Sequence, residues 1–206
     1  MTWVTWIGLG SNLPAPSCGG PVAVLEAALV AIAAKIAELS ARSKWYWSAP
    51  IPPSSQSLYI NGVCAVETDI PPDRLLLQLH AIEARFGRVR THPGAARVLD
   101  LDLLDCGGRI LRLGGGLVLP HPRLHRRAFV LRPLADIAPG WRHPVLGLTA
   151  EALLAGCGDQ WLAPLPPSLS PRCGTDWRED EIGGGDNMYR LDNIAKITEG
   201  KQRAGQ

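Results

Sequence analysis

Along the first hundred residues the apolar positions alternate between a period near two and a period near 3.6, and the changes of period mark out four strands and two helices. Val4 to Leu9 reads as a first strand that runs into Gly8-Leu9-Gly10-Ser11-Asn12, where the glycines permit a tight turn and close backbone approach. From Pro21 to Leu39 the residues Val22, Leu25, Leu29, Ile32 and Ile36 recur at helical spacing and predict an amphipathic helix. Ser43 to Ser48 reads as a second strand. It is ended by Ala49-Pro50-Ile51-Pro52-Pro53, which is incompatible with helix or central strand. Tyr59 to Thr68 alternates as a third strand. A second helix opens near Asp69 to Pro72, buries Leu75, Leu76, Leu79, Ile82 and Phe86, and stops at Gly87.

The fourth strand, Arg97 to Leu104, carries the strongest chemical signal. Leu99, Leu101 and Leu103 fall on one face, as a core requires, and Asp100 and Asp102 fall on the other. Two carboxylates roughly 7 Å apart on a rigid strand suit a divalent cation. Alone, such a pair is as compatible with the solvated face of an amphipathic strand. The order β-α-β-β-α-β predicts an α+β, ferredoxin-like fold: an antiparallel sheet with helices on one face and the other face free for a ligand. Asp100 and Asp102 belong on that free face. A hairpin near Gly107-Gly108, a glycine-rich loop at 114–116 and short helices at about 126–135 and 149–155 would complete a domain spanning residues 1–159. Residues 160–206, with Pro164, Pro166, Pro167, Pro171 and then Gly183-Gly184-Gly185, read as a disordered tail.

Charge changes this picture more than composition does. The net charge is only +2, but ten of the arginines lie between Arg85 and Arg132, around the aspartate pair. The guanidinium fork matches phosphate oxygens. A nucleic-acid surface would add stacking aromatics, and this stretch has only Phe86 and Phe129, so a small phosphorylated ligand is favoured. The five scattered cysteines form no C-x-x-C pair, which argues against a zinc site or disulfide framework and for a reducing, cytoplasmic setting. No apolar run is long enough for a membrane span, and a monomer is expected.

Several motifs occur together: Gly8-Leu9-Gly10-Ser11-Asn12, Tyr59-Ile60-Asn61, Ile82-Glu83 through Gly87-Arg88-Val89-Arg90, Arg97-Val98-Leu99-Asp100-Leu101-Asp102, Pro120-His121 with Arg127-Ala128-Phe129, and Pro133-Leu134-Ala135-Asp136-Ile137-Ala138-Pro139. In this order, over roughly residues 3–158, the chain resembles the 6-hydroxymethyl-7,8-dihydropterin pyrophosphokinase family. The resemblance implies transfer of diphosphate from ATP to 6-hydroxymethyl-7,8-dihydropterin with release of AMP, in folate biosynthesis. It implies two Mg²⁺ ions held by Asp100 and Asp102, and phosphate contacts from the loop arginines Arg88 and Arg97. By the same resemblance ATP is met by Arg90, Leu103, His121 and Arg127, and the pterin by Ser48, Ile51, Tyr59, Asn61 and Phe129. The chain departs from the family pattern in the loop between Arg90 and Arg97, which is short and carries His92-Pro93-Gly94-Ala95, and at Pro122 and His80. Two other readings use the same architecture. A metal-dependent nucleotidyl transferase or cyclase would share the aspartates but not require Tyr59, Asn61 and Phe129 to converge on a flat ring. A non-enzymatic RNA-binding module would need aromatics where Asp100 and Asp102 stand.

Overall fold

The computed structural model describes residues 1–88, 95–166 and 169. Its two longest strands, β1 (Trp3–Ser11) and β4 (Tyr59–Thr68), pair antiparallel along their whole length, from Trp3 opposite Thr68 to Ser11 opposite Ile60. On the far side of β1 lies β5 (Asp100–Cys106), with Gly10 opposite Asp100 and Gly8 opposite Asp102. Beyond β4 come the short strands β2 (Leu39–Arg42) and β3 (Tyr46–Ser48), both antiparallel to it. With β2 and β3 counted as one broken strand, the core order is fourth, first, third, second, the ferredoxin-like arrangement foreseen from the alternation of periods.

Helices α1 (Pro21–Lys35) and α2 (Pro72–Arg85) cover one face of this sheet. Between them and the strands lies the main core, including Ile7, Leu9, Leu25, Ile32, Ile60, Leu75, Leu79 and Ile82, with Leu99, Leu101 and Leu103 as expected. The other face is not left bare. Helices α3 (Ala128–Ile137) and α4 (Ala150–Leu154) roof part of it, and Val63 and Leu104 join Val130, Leu131, Leu134 and Leu153 in a second core. A small hairpin of β6 (Leu111–Arg112) and β7 (Val118–Leu119) follows β5. The chain thus turns at Gly107-Gly108, both at positive φ, but pairs the next two strands with each other across 114–116.

Several boundaries differ from the sequence reading for physical reasons. Helix α1 stops at Lys35, because Leu39 is already laddered to Val66 on β4. Of the strand expected at 43–48 only Tyr46–Ser48 forms, as β3, and a further piece, β2, precedes it at Leu39–Arg42. Ser43 uses its own hydroxyl to accept from Val63 N (3.0 Å) and its N–H to reach Val63 O (2.9 Å), which interrupts the ladder between β2 and β3. Arg97 lies before β5, tied to the end of β1 by Asn12, whose Oδ1 accepts from Arg97 N (2.8 Å). Gly8 and Gly10 lie inside the central strand, not in a turn. The domain also passes residue 159: β8 (Leu162–Pro164) pairs with β3, and Leu165 is buried. A proline there is tolerated because β8 is an edge strand. Most of the remaining tail lies outside the described residues. No helix among the described residues is long and apolar enough to cross a membrane.

Candidate active site

Cross-strand register determines what shares the second sheet face. Asp100 and Asp102 on β5 stand opposite Gly10 and Gly8, Gly10 stands opposite Asn61 on β4, and Asn61 stands opposite Tyr46 on β3. Since directly opposed residues point to the same side, Asp100 looks across Gly10 toward Asn61, and Asp102 looks across Gly8 toward Val63. The result is a cleft floored by Gly8, Leu9, Gly10 and Gly62, with Asp100 and Asp102 on one side, Asn61 on the other, and Phe129 and Val130 from the first turn of α3 above. A Cβ at Gly10 would stand 3.2 Å from Asn61 Oδ1, and one at Gly8 would stand 3.3 Å from Leu104 Cδ2. Glycine at these two points keeps the floor low.

Arginines surround the acidic side. Arg88 and Arg97 both donate to Asp100, and Arg127 Nη1 donates to Asp102 Oδ2 at 3.0 Å. Burial pushes the Asp100 carboxyl up, but the Arg97 and Arg88 guanidiniums outweigh it and hold the group below the usual aspartate range. His121 places Nε2 3.9 Å from Asp102 Oδ2. Its Nδ1 accepts from Arg123 N (3.2 Å), so the neutral ring carries its proton on Nε2 and offers a donor beside Asp102. Burial, reinforced by Arg127 and Arg123 against the opposing pull of Asp102, lowers the His121 value and favours that neutral form.

The opposite side is uncharged. Asn61 is buried, and its Nδ2 donates to Ser48 Oγ at 2.9 Å, which fixes the amide orientation. Tyr59, two residues earlier on β4, has two acceptors within reach of its one O–H, Gln56 Oε1 (3.1 Å) and Ala95 O (3.3 Å). Phe129 lies under the Arg127 guanidinium, 5.4 Å from its ring centroid. Thus Asp100, Asp102, Asn61 and Phe129 line one cleft, Arg88, Arg97, His121 and Arg127 gather around its carboxylates, and Ser48 backs Asn61. Three expected residues stand apart. Tyr59 does not line the cleft; its hydroxyl is turned to Gln56 and Ala95. The Leu103 side chain is buried in the core against α1 and α2, so only its backbone can serve a ligand. Ile51 is exposed in the proline loop and does not line the cleft. Arg90 and the short loop at 92–94 lie outside the described residues.

Sequence reasoning missed the parts without obvious chemistry. Gly8 and Gly10 were legible only as turn residues, and Val130 only as helix core. Glu83 was visible at the edge of the α2 stripe, but its partners were not. Glu83 Oε1 accepts from Leu101 N at 2.8 Å and pairs with Arg88.

The carboxylate pair also meets the requirements of Mg²⁺. Among the described residues no group of three or more His, Cys, Asp or Glu forms a closed metal cage. Two strand carboxylates, with other positions left to water and substrate phosphate, are a donor set that Mg²⁺ uses where phosphates are handled.

A ferredoxin-like sheet whose cleft has paired carboxylates ringed by arginines on one side and Asn61 on the other is an arrangement suited to handling phosphates. Residues 6–139 match the family of the 7,8-dihydro-6-hydroxymethylpterin-pyrophosphokinase (HPPK). The chain is 41% identical over 163 residues to the 2-amino-4-hydroxy-6-hydroxymethyldihydropteridine pyrophosphokinase of Pseudomonas aeruginosa, covering 78% of this chain and 96% of that protein. It is 40% identical over 171 residues to the protein of the same name from Synechocystis, covering 79% and 80%. Identity to the folic acid synthesis protein fol1 of Pneumocystis carinii is 34% over 164 residues, 80% of this chain but only 21% of that much longer protein. The fold matches the HPPK-DHPS of Plasmodium falciparum with a TM-score of 0.59 at 15% identity, over 76% of this chain and 45% of that one. The chain belongs to the HPPK family, and with it to the pyrophosphokinases of folate biosynthesis.

Proposed function

We propose that the chain transfers diphosphate from ATP to 6-hydroxymethyl-7,8-dihydropterin and releases AMP, with Asp100 and Asp102 as the Mg²⁺-holding carboxylates. The observation that carries this reading is the division of one sheet face into a charged half and a neutral half, separated only by Gly8 and Gly10. In the reaction the hydroxymethyl oxygen forms a bond to the β-phosphorus and gives up its proton to solvent, while the bond from that phosphorus to the α,β-bridging oxygen breaks and AMP leaves with that oxygen. Bound Mg²⁺ would supply charge neutralisation of the triphosphate. The chain's own groups do the remaining work. Arg88, Arg97 and Arg127, which now neutralise the two carboxylates, lie where they can turn to phosphate oxygens, and His121 Nε2–H adds a neutral donor at the same edge. On the neutral side Asn61, its amide fixed by Ser48, offers a donor and an acceptor to the edge of a flat ring, and Phe129 offers a stacking face. In the same reading Tyr59, two residues before Asn61 on β4, belongs to the pterin side and Arg90 to the ATP side. The test is to incubate the chain with ATP, Mg²⁺ and the hydroxymethyl-dihydropterin and to separate the nucleotides. AMP formed in step with the pterin diphosphate is expected, whereas ADP, or ATP consumption without pterin, refutes the assignment.

A further inference from the structure

Glu83 is a carboxylate in a place that ought to be apolar. It is only 2% exposed, one turn after Leu79 on the buried side of α2. A charge buried there is costly unless strong partners compensate it. The partners are informative. Leu101 N, which donates to Glu83 Oε1, lies on the outer edge of β5 between Asp100 and Asp102. Arg88 Nη1, which pairs with Glu83, also contacts Asp100 Oδ1 and lies 3.3 Å from Leu99 O. One buried carboxylate therefore grips both the strand that presents the aspartates and an arginine that touches one of them. Arg88 follows directly on Gly87, whose φ of +81° sets the sharp exit from α2.

We propose that Glu83 is a positioning residue for diphosphate transfer, acting through Arg88; this rests on the function given above. While Asp100 is paired with arginines, Arg88 has two anionic partners. When substrate phosphates and their cation engage Asp100, Glu83 is the anchor that keeps the Arg88 guanidinium at the cleft edge. A guanidinium released from both would be free to swing into solvent, and ordering it again would fall on the transition state.

Glu83→Gln separates the charge from the shape, because the amide oxygen still accepts from Leu101 N. The expected result is a folded chain with a urea midpoint no lower than that of Asp100→Ala, a tens-fold fall in kcat, and KM values for ATP and pterin within threefold of the parent chain. In an Arg88→Ala background the same substitution is expected to change kcat less than twofold, because its target is gone. An unaltered kcat in Glu83→Gln, or an equal fold-loss with and without Arg88, overturns the proposal. Failure of the parent chain to form AMP would instead refute the assigned reaction, a result distinct from loss confined to the variant. Should Glu83→Gln not fold, NMR relaxation of the Arg88 Nε–H group in the parent chain decides. Order typical of a fixed side chain supports the anchor, and mobility equal to that of the exposed Arg74 overturns it.

Discussion

Replacing Asp100 by alanine removes the acceptor shared by Arg88 and Arg97, whereas replacing Asp102 removes the acceptor of Arg127, with His121 more distant. Turnover should fall by several orders of magnitude in both variants, since charge neutralisation at the phosphates supplies several kcal/mol of transition-state stabilisation. Stability should not follow. Asp100 is 22% exposed and accepts two charge-assisted bonds, each contributing about 1.5–3 kcal/mol. Relief of its own desolvation and the surviving Glu83 partner of Arg88 offset part, leaving a net loss of roughly 2–4 kcal/mol. Asp102 is 31% exposed with one close partner, and its removal should cost about 1 kcal/mol or less. Urea unfolding at neutral pH measures both. The pH dependence adds a second reading. The Asp100 carboxyl is held below the ordinary aspartate range, so its stabilisation is present above about pH 4 and lost as pH falls through the depressed value. The gap between the parent chain and Asp100→Ala should therefore close in acid. Equal stability losses at the two positions, or a gap that widens as pH falls, would refute the assignment of Asp100 as the doubly paired carboxylate.

Three further outcomes follow from the same geometry. Gly10→Ala places a methyl 3.2 Å from Asn61 Oδ1, so the amide must yield; a roughly tenfold rise in pterin KM with little change in ATP KM is expected from steady-state kinetics. Gly62→Ala drives a Cβ to 2.5 Å from Trp45 Cζ3, on a buried indole whose Nε1 donates to Glu26 at 2.8 Å. Overpacking of this kind should cost about 1–3 kcal/mol by urea unfolding. Cys64 is fully buried, and burial pushes its thiol up to about 12, so iodoacetamide at pH 8 should leave it unmodified in the folded chain while half-buried Cys18 reacts. Because the folded value is raised, the associated stability is present below the ordinary thiol range and is lost as pH climbs toward 12; peptide mapping that finds Cys64 and Cys18 labelled at equal rates would contradict the burial.

Period located the alternation of β5 and the stripe of α2, where apolar and polar positions part cleanly, and the β-branched and aromatic run of Tyr59–Thr68 located β4, which is buried on both faces. The site was legible where residues carry charge or rings: Asp100, Asp102, the arginines, Asn61 and Phe129. Backbone-level events were not legible. Nothing local separates a glycine that bends a chain from one that clears space under a neighbour, so Gly8 and Gly10 read as a turn. The break between β2 and β3 depends on Ser43 meeting Val63, a contact twenty residues distant in sequence. Strand β8 is short, contains Pro164 and sits in a proline-rich stretch, so it exists only because β3 offers an edge. Glu83 needed the three-dimensional partners Leu101 and Arg88 to acquire meaning.

The partners along β5 have a bearing on colloidal behaviour as well as on chemistry. An edge strand with unmet backbone groups is a template for another chain. At one end of this sheet the outermost strand is β8, which is three residues long and closes on a proline without an N–H to offer. At the other end, Leu101 N is taken by Glu83, Leu99 O by Arg88 and Leu104 O by His121 N. Three residues around the candidate site thus also shield the exposed flank of β5. Truncating Glu83 or Arg88 to alanine will uncover that flank too, whereas Glu83→Gln keeps the acceptor for Leu101 N, and truncated variants should be compared at matched, low protein concentration, where self-association cannot pass for lost turnover.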